Sequence, residues 1–161
     1  MVHHEIERKF LVISNHYKVD AISKTHIVQG FLNTHPERTI RIRIADKKGY
    51  LTIKGKGNDA GTTRFEWETE ISHADATELL DLCEPILLEK IRHHVPIGNQ
   101  VFEVDEFLGE NSGLVIAEIE LKHENEPFEK PDWLGDEVTG IIKYYNSQLS
   151  IKAYTQWKND S

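Results

Sequence analysis

Arg64-Phe65-Glu66-Trp67-Glu68-Thr69-Glu70-Ile71 alternates charged and apolar side chains almost without a break. Successive residues of a strand point to opposite faces of a sheet, so the stretch predicts a β-strand with one charged face and one apolar face. The same period of two recurs along the chain. Candidate strands run over roughly 5–12, 27–33, 39–45, 49–56, 63–71, 88–95, 100–107 and 115–122. Turn signals separate them: Pro36, Lys48-Gly49, the Gly-rich run at 55–61, Gly98-Asn99, and Gly109 to Gly113. Gly98-Asn99 between two alternating runs marks a hairpin.

Helical signals are fewer. Ser72 is placed to cap a helix over about 73–83, with Ala76, Leu79, Leu80 and Cys83 on one stripe. A short helical piece is expected near 15–23, and a last helix over about 138–156 after the Pro-Asp-Trp-Leu-Gly turn at 131–135. Eight strands against two or three helices give an α+β fold dominated by an antiparallel sheet. Eight is also a strand number at which a sheet closes into a barrel around a small ligand. A length of 161 residues suits one domain over 1–161.

Composition narrows the classes of function. A net charge of −8 opposes general binding to nucleic acid or to an anionic membrane, and no run approaches the roughly 20 apolar residues of a membrane span. The opening residues MVHHEIERKF turn charged at once, without the apolar core of a secretory signal. Cys83 is the only cysteine, so no intramolecular disulfide forms and a cytoplasmic location is expected. A small anionic ligand stays compatible with the negative charge if the basic residues are gathered in one place.

The alternation shows how they would be gathered. One face of successive strands carries Glu5, Glu7 and Lys9; Arg41 and Arg43; Lys54 and Lys56; Arg64, Glu66, Glu68 and Glu70; Lys90 and Arg92; Glu103 and Asp105; and Glu118, Glu120 and Lys122. The other face carries residues such as Ile42, Ile53, Trp67, Ile91, Val104 and Ile119. A sheet with one solvated face and no site produces the same alternation. Solvated faces, however, mix Ser, Thr, Asn and Gln among the charges, and these positions are almost all Glu, Asp, Lys and Arg. Charges of one sign also cluster by strand, which costs repulsion unless opposite charge lies between them. A barrel with the charged face inward meets both points. Arginine and lysine there would hold phosphoryl oxygens, and clustered carboxylates are hard ligands for Mg²⁺ or Mn²⁺.

The ordered set Glu5-Ile6-Glu7-Arg8-Lys9, Arg41-Ile42-Arg43, Thr52-Ile53-Lys54, Glu66-Trp67-Glu68, Glu89-Lys90-Ile91-Arg92, Glu103-Val104-Asp105 and Glu118-Ile119-Glu120 resembles the CYTH superfamily, the triphosphate tunnel metalloenzymes. The closing segments at 133–139 and 143–146 are similar too, and the opening looks like the bacterial inorganic triphosphatase branch. The resemblance implies an eight-stranded tunnel open at both ends that hydrolyses a small-molecule triphosphate. It implies Glu5, Glu7, Asp105, Glu118 and Glu120 as metal ligands, with Glu66 and Glu68 supporting them. It implies Lys9, Arg41, Arg43, Lys54, Arg92 and Lys143 as grips on phosphate, and Lys90 as general acid or base. Bacterial relatives often have a tyrosine after Gln-Gly in the second strand, where this chain has Gln29-Gly30-Phe31. Phenylalanine has no hydroxyl to share a proton.

Three other activities share these features: an adenylate cyclase of class IV, a thiamine triphosphatase, and a polyphosphate-binding module without catalysis. A homodimer is compatible with the sequence. The Gly55–Gly61 run lacks the Gly-Lys-Ser/Thr ending of a P-loop and reads as a hairpin loop. The nine histidines lack zinc-site spacing. Cys83, Trp133 and Trp157 read as packing residues, and Glu106, Asp136 and Glu137 as solvated ones.

Overall fold

Each alternating run is a strand, and each strand pairs antiparallel with its neighbours in space. The computed structural model describes residues 4–159; His3, beside His4 in the sequence, lies outside them. The strands are β1 (His4–Val12), β2 (Ser23–Asn33), β3 (Arg38–Ala45), β4 (Lys48–Gly57), β5 (Thr63–Ile71), β6 (Leu88–Ile97), β7 (Gln100–Leu108), β8 (Val115–Glu120) and β9 (Leu134–Glu137). Their order is β5-β4-β3-β2-β6-β7-β8-β1-β9, and a β5–β1 pairing closes the first eight into a barrel. Gly98 turns the β6–β7 hairpin with φ 63, a value glycine reaches without strain.

Closure is uneven. His4, Glu5 and Ile6 pair with Phe65, Arg64 and Thr63 of β5, but further along β1 the strand β9 takes over, pairing Phe10 with Glu137 and Val12 with Leu134. The chain after β9 therefore runs beside the seam where β5 and β1 part. Gly61 (φ 74) and Gly140 (φ 77) cross there, and a Cβ on Gly61 would stand 2.4 Å from Gly140 Cα. Only glycine permits two backbones to pass so closely.

The helices are α1 (Tyr17–Asp20), α2 (His73–Leu80) and α3 (Asn146–Leu149). Ser72 caps α2 as expected, its side chain accepting from the Asp75 amide at 3.0 Å. The helix expected over 15–23 is a single turn. The long helix expected over 138–156 does not form. In its place are a 3-10 turn at Ile142–Tyr144, the single turn α3, and a 3-10 stretch at Tyr154–Asn159. Gly140 is left-handed, and Val138, Thr139, Ile141 and Ile142 are poor helix formers, so the segment follows the seam instead. Leu134 and Gly135, at the end of the turn expected at 131–135, open the short strand β9.

The apolar outer face is covered in two places. Under α2, Ile42 packs with Ala76 and Leu80. Under α1 and the chain leading to β9, Phe10, Tyr17, Val95, Phe102, Val104, Ile119 and Trp133 form a second cluster. Outside both, Ile53 (37% exposed) and Trp67 (38% exposed) remain open to solvent. A third cluster lies inside the barrel: Phe31, Leu88, Phe107, Leu114, Ile116 and Leu149, each at most 3% exposed. Leu88, Phe107 and Ile116 continue the inward columns of Lys90, Asp105 and Glu118, so the interior changes from charged to apolar along its length. The tunnel expected to open at both ends is stoppered at this one. Leu88→Ala would remove about 2–5 kcal/mol by leaving a cavity in the stopper.

Candidate active site

The remaining interior is a cavity of about 200 Å³, smaller than a pocket for a drug-sized ligand. Lys9, Arg41, Arg43, Lys54, Arg64, Lys90 and Arg92 line it, seven of the chain's 19 lysines and arginines. Glu5, Glu7, Glu66, Glu68, Glu103, Glu118 and Glu120 line it as well. The basic residues are thus gathered, as an anionic ligand requires of a negatively charged protein.

On β6 and β7 the charges answer one another. Arg92 stands directly across from Asp105 in the strand register. Arg92 Nε and Nη2 donate to the two Asp105 oxygens at 2.8 and 2.9 Å, Lys90 Nζ lies 2.8 Å from Oδ2, and Arg92 Nη1 lies 2.7 Å from Glu103. Burial alone would raise the Asp105 carboxyl, but Arg92 and Lys90 hold it well below the usual carboxylate range. Burial pushes the Lys90 ammonium down to about 7, with Arg92 and Arg43 adding to the fall and Asp105 resisting it. An amine with that affinity exchanges its proton near neutral pH.

On β1 and β8 the register is mixed: Lys9 lies across from Glu118, but like charges meet as well. Glu7 lies directly across from Glu120, and Glu103 of β7 across from Glu118. Like charges in such positions destabilise a sheet. Burial, Glu118 and Glu5 together push the Glu7 carboxyl well above its ordinary value, and burial, Glu5 and Glu103 raise Glu120. Lys9 Nζ sits between Glu7 and Glu118 at 4.0 Å from each, too far for a firm hydrogen bond. Nearby, Lys54 Nζ is 2.8 Å from Glu5 and 3.7 Å from Glu66. Burial pushes Glu66 up to about 7, against Lys54 and helped by a hydrogen bond shared with Glu5. Glu5 itself, despite burial, is held low by Lys54 and by that bond. Among the described residues no three of His, Cys, Asp and Glu are already gathered as a ligand shell. Even so, the ledge consists of hard carboxylate oxygens with too few cations among them, a donor set that fits Mg²⁺ or Mn²⁺.

The wall across β3 to β5 is basic. Arg41 Nη2 donates to Thr52 and Glu68 at 3.0 and 3.3 Å, while its Nε is buried without a partner among the described residues. Burial and the neighbouring Arg41 and Arg92 push Arg43 down to about 9. Unsatisfied buried donors and crowded cations both favour an anion.

Of the residues that the resemblance assigns to the site, all but two line this cavity. Asp105 is fully buried behind Lys90 and Arg92, its oxygens taken by them. Lys143 is not brought in. The 3-10 turn that replaces the expected helix leaves it exposed, its ammonium 4.7 Å from the Trp157 ring. Tyr145 and Asn146 enter instead, the Tyr145 ring 5.1 Å from Lys9 Nζ. The resemblance also leaves out Arg64 and Gln29 as site residues. Arg64 shares the parity of Glu66 and is legible on that ground, whereas Tyr145 and Asn146 follow no periodicity. Cys83 and Trp133 are packing residues, as expected: burial pushes the Cys83 thiol up to about 11, and Trp133 sits in the core. Glu137 is not simply solvated, since it pairs with Arg8 and accepts from Thr139 at 2.7 Å.

A closed antiparallel barrel with facing acidic and basic walls inside defines a class of tunnel proteins built for a multivalent anion together with a cation. The CYTH domain model matches residues 3–153, and the chain belongs to that family. It is 46% identical over 156 residues to an inorganic triphosphatase of Acetivibrio thermocellus, covering 96% of this chain and 97% of the relative. It is 33% identical to an inorganic triphosphatase of Nitrosomonas europaea, covering 91% and 97%. A solved structure of an inorganic triphosphatase superposes with a TM-score of 0.67 at 29% identity, covering 92% of this chain and 95% of that one. No helix among the described residues is long and apolar enough to cross a membrane.

Proposed function

We propose that the chain hydrolyses a linear triphosphate, inorganic tripolyphosphate first, with Mg²⁺ or Mn²⁺ as its cofactor. The observation that carries this reading is the pair of in-register like-charge contacts, Glu7 with Glu120 and Glu103 with Glu118, facing a wall of lysine and arginine. Glu5, Glu7, Glu118 and Glu120 would hold the metal, with Glu66 and Glu68 behind them. The ion supplies Lewis-acid neutralisation of phosphoryl charge and makes water more acidic.

The chain's own residues account for the remaining steps. Lys9, Arg41, Arg43, Lys54, Arg64 and Arg92 bind phosphoryl oxygens and stabilise the charge that develops on the leaving diphosphate. Lys90, near neutrality between its two forms, carries a proton to or from the reacting oxygens. Asp105 keeps Lys90 and Arg92 in place. The apolar stopper keeps bulk water from the inner end. With phenylalanine at position 31, the proton step runs without a hydroxyl from that strand position. The basic residues alone would suit a polyphosphate-binding module, but such a module gives no reason for opposed carboxylates. Incubating the protein with tripolyphosphate, ATP or thiamine triphosphate and identifying the products tests the choice of substrate. Phosphate and diphosphate from tripolyphosphate are expected; cyclic AMP from ATP, or preference for thiamine triphosphate, would replace the reading.

A further inference from the structure

One buried amide relay crosses the tunnel's inner end. Asn146 Oδ1 accepts from Lys90 Nζ at 2.9 Å and from Gln29 Nε2 at 2.7 Å, and Gln29 Oε1 accepts from Arg43 Nε at 3.1 Å. The guanidinium of Arg43 can only donate, so it fixes Gln29 Oε1 toward itself; Gln29 Nε2 must then donate to Asn146 Oδ1, and the orientation of both amides is forced. Gln29 is fully buried in β2, and Asn146 lines the cavity at the start of α3.

An ammonium has three N–H bonds. Asp105 takes one of Lys90's and Asn146 takes another, which leaves the third for the cavity. Asp105 comes from the same hairpin as Lys90, whereas Asn146 comes from 56 residues further along the chain. We propose that Asn146 is a positioning residue. Delivered by the segment that runs along the seam, it aims the free N–H of Lys90 at the substrate and, through Gln29, fixes the Nε of Arg43. Lys90 then meets a phosphoryl oxygen in one orientation only. This inference rests on the triphosphatase reading for its kinetic consequence and on the geometry alone for its structural one.

The test is Asn146→Leu, close in size but without the acceptor, beside Asn146→Asp, which keeps an oxygen for Lys90 and Gln29. Misplacing a reacting group by about 1 Å can cost about 100-fold in rate, so Asn146→Leu is expected to lower kcat roughly 10- to 100-fold with little change in KM. Asn146→Asp should restore most of the lost kcat and raise KM, because its added charge opposes the anion. The second readout is independent of turnover: the Lys90 ammonium resonance, observed by nitrogen-detected NMR in mildly acidic buffer, should be protected from exchange in wild type and lost in Asn146→Leu. Gln29→Met provides a second break in the relay should Asn146→Leu fold poorly, with the same fall in kcat expected. Wild-type kcat in either apolar variant, or a Lys90 resonance unchanged in Asn146→Leu, overturns the inference. Absence of turnover in wild type overturns the triphosphatase reading instead, and the resonance still decides the positioning.

Discussion

Two corners of one cavity handle buried charge in opposite ways. On β6 and β7, Asp105 sits between Lys90 and Arg92 at hydrogen-bond distance and is held ionised. On β1 and β8, Glu7 faces Glu120 and leans on Glu118, and its relief comes only from the charge of Lys54 and from Lys9 at 4.0 Å, with no cation at hydrogen-bond distance. The first corner is electrostatically complete. The second stores repulsion that a divalent cation would relieve. A barrel that needed charge only for solubility would have no reason to keep such a ledge, because pairing its acids as Asp105 is paired would be more stable.

One chemical change made in both corners breaks the comparison most sharply. Asp105→Asn leaves two buried cations without their carboxylate and should cost about 3–5 kcal/mol in denaturant unfolding. Glu7→Gln removes a like-charge contact and should raise stability in metal-free buffer at neutral pH, by about 1–2 kcal/mol. Equal losses from both changes would erase the distinction between the corners.

Metal addition sharpens it. At a hundred times its dissociation constant, a bound ion stabilises the folded state by about 2.7 kcal/mol. Mg²⁺ or Mn²⁺ should therefore raise the melting temperature of wild type, and much less that of Glu7→Gln. An equal rise in both would move the ion away from the ledge.

The smallest effect is in pH. Glu66 is raised from 4.5 to about 7, so the folded state keeps a proton that the unfolded chain releases earlier. Its contribution is full below pH 4.5 and is lost as pH rises through about 7. Glu66→Gln mimics the protonated form, so its gain over wild type should grow across that window and level off above it. Allowing for solvent screening, the plateau is about 1 kcal/mol. Thermal melts across pH without divalent ions check the sign.

The charged wall was legible in the sequence because strand parity is strict: once Glu66 points inward, Arg64 and Glu68 must as well. The residues that close the site were not. Tyr145 and Asn146 reach the cavity because β9 displaces β5 from the edge of β1 and the chain then follows the seam, a tertiary arrangement with no local period. The same cause defeats the expectation of a helix over 138–156 and of Lys143 as a phosphate grip. The stopper was hidden for a different reason. Leu88, Phe107 and Ile116 have the parity of the charged residues but the character of the core, and only the closed barrel shows how far along the tunnel they stand.

Opposed acidic and basic walls, on this account, serve turnover together and not binding alone. Phosphate release from tripolyphosphate and equilibrium binding of tripolyphosphate, measured side by side on wild type and on the Glu118→Gln/Glu120→Gln variant, test it directly. Wild type should release phosphate only with Mg²⁺ or Mn²⁺. The variant should still bind tripolyphosphate through the basic wall, with turnover lower by at least about 100- to 1,000-fold. Undiminished turnover in the variant, or none in wild type with either ion, would contradict the account.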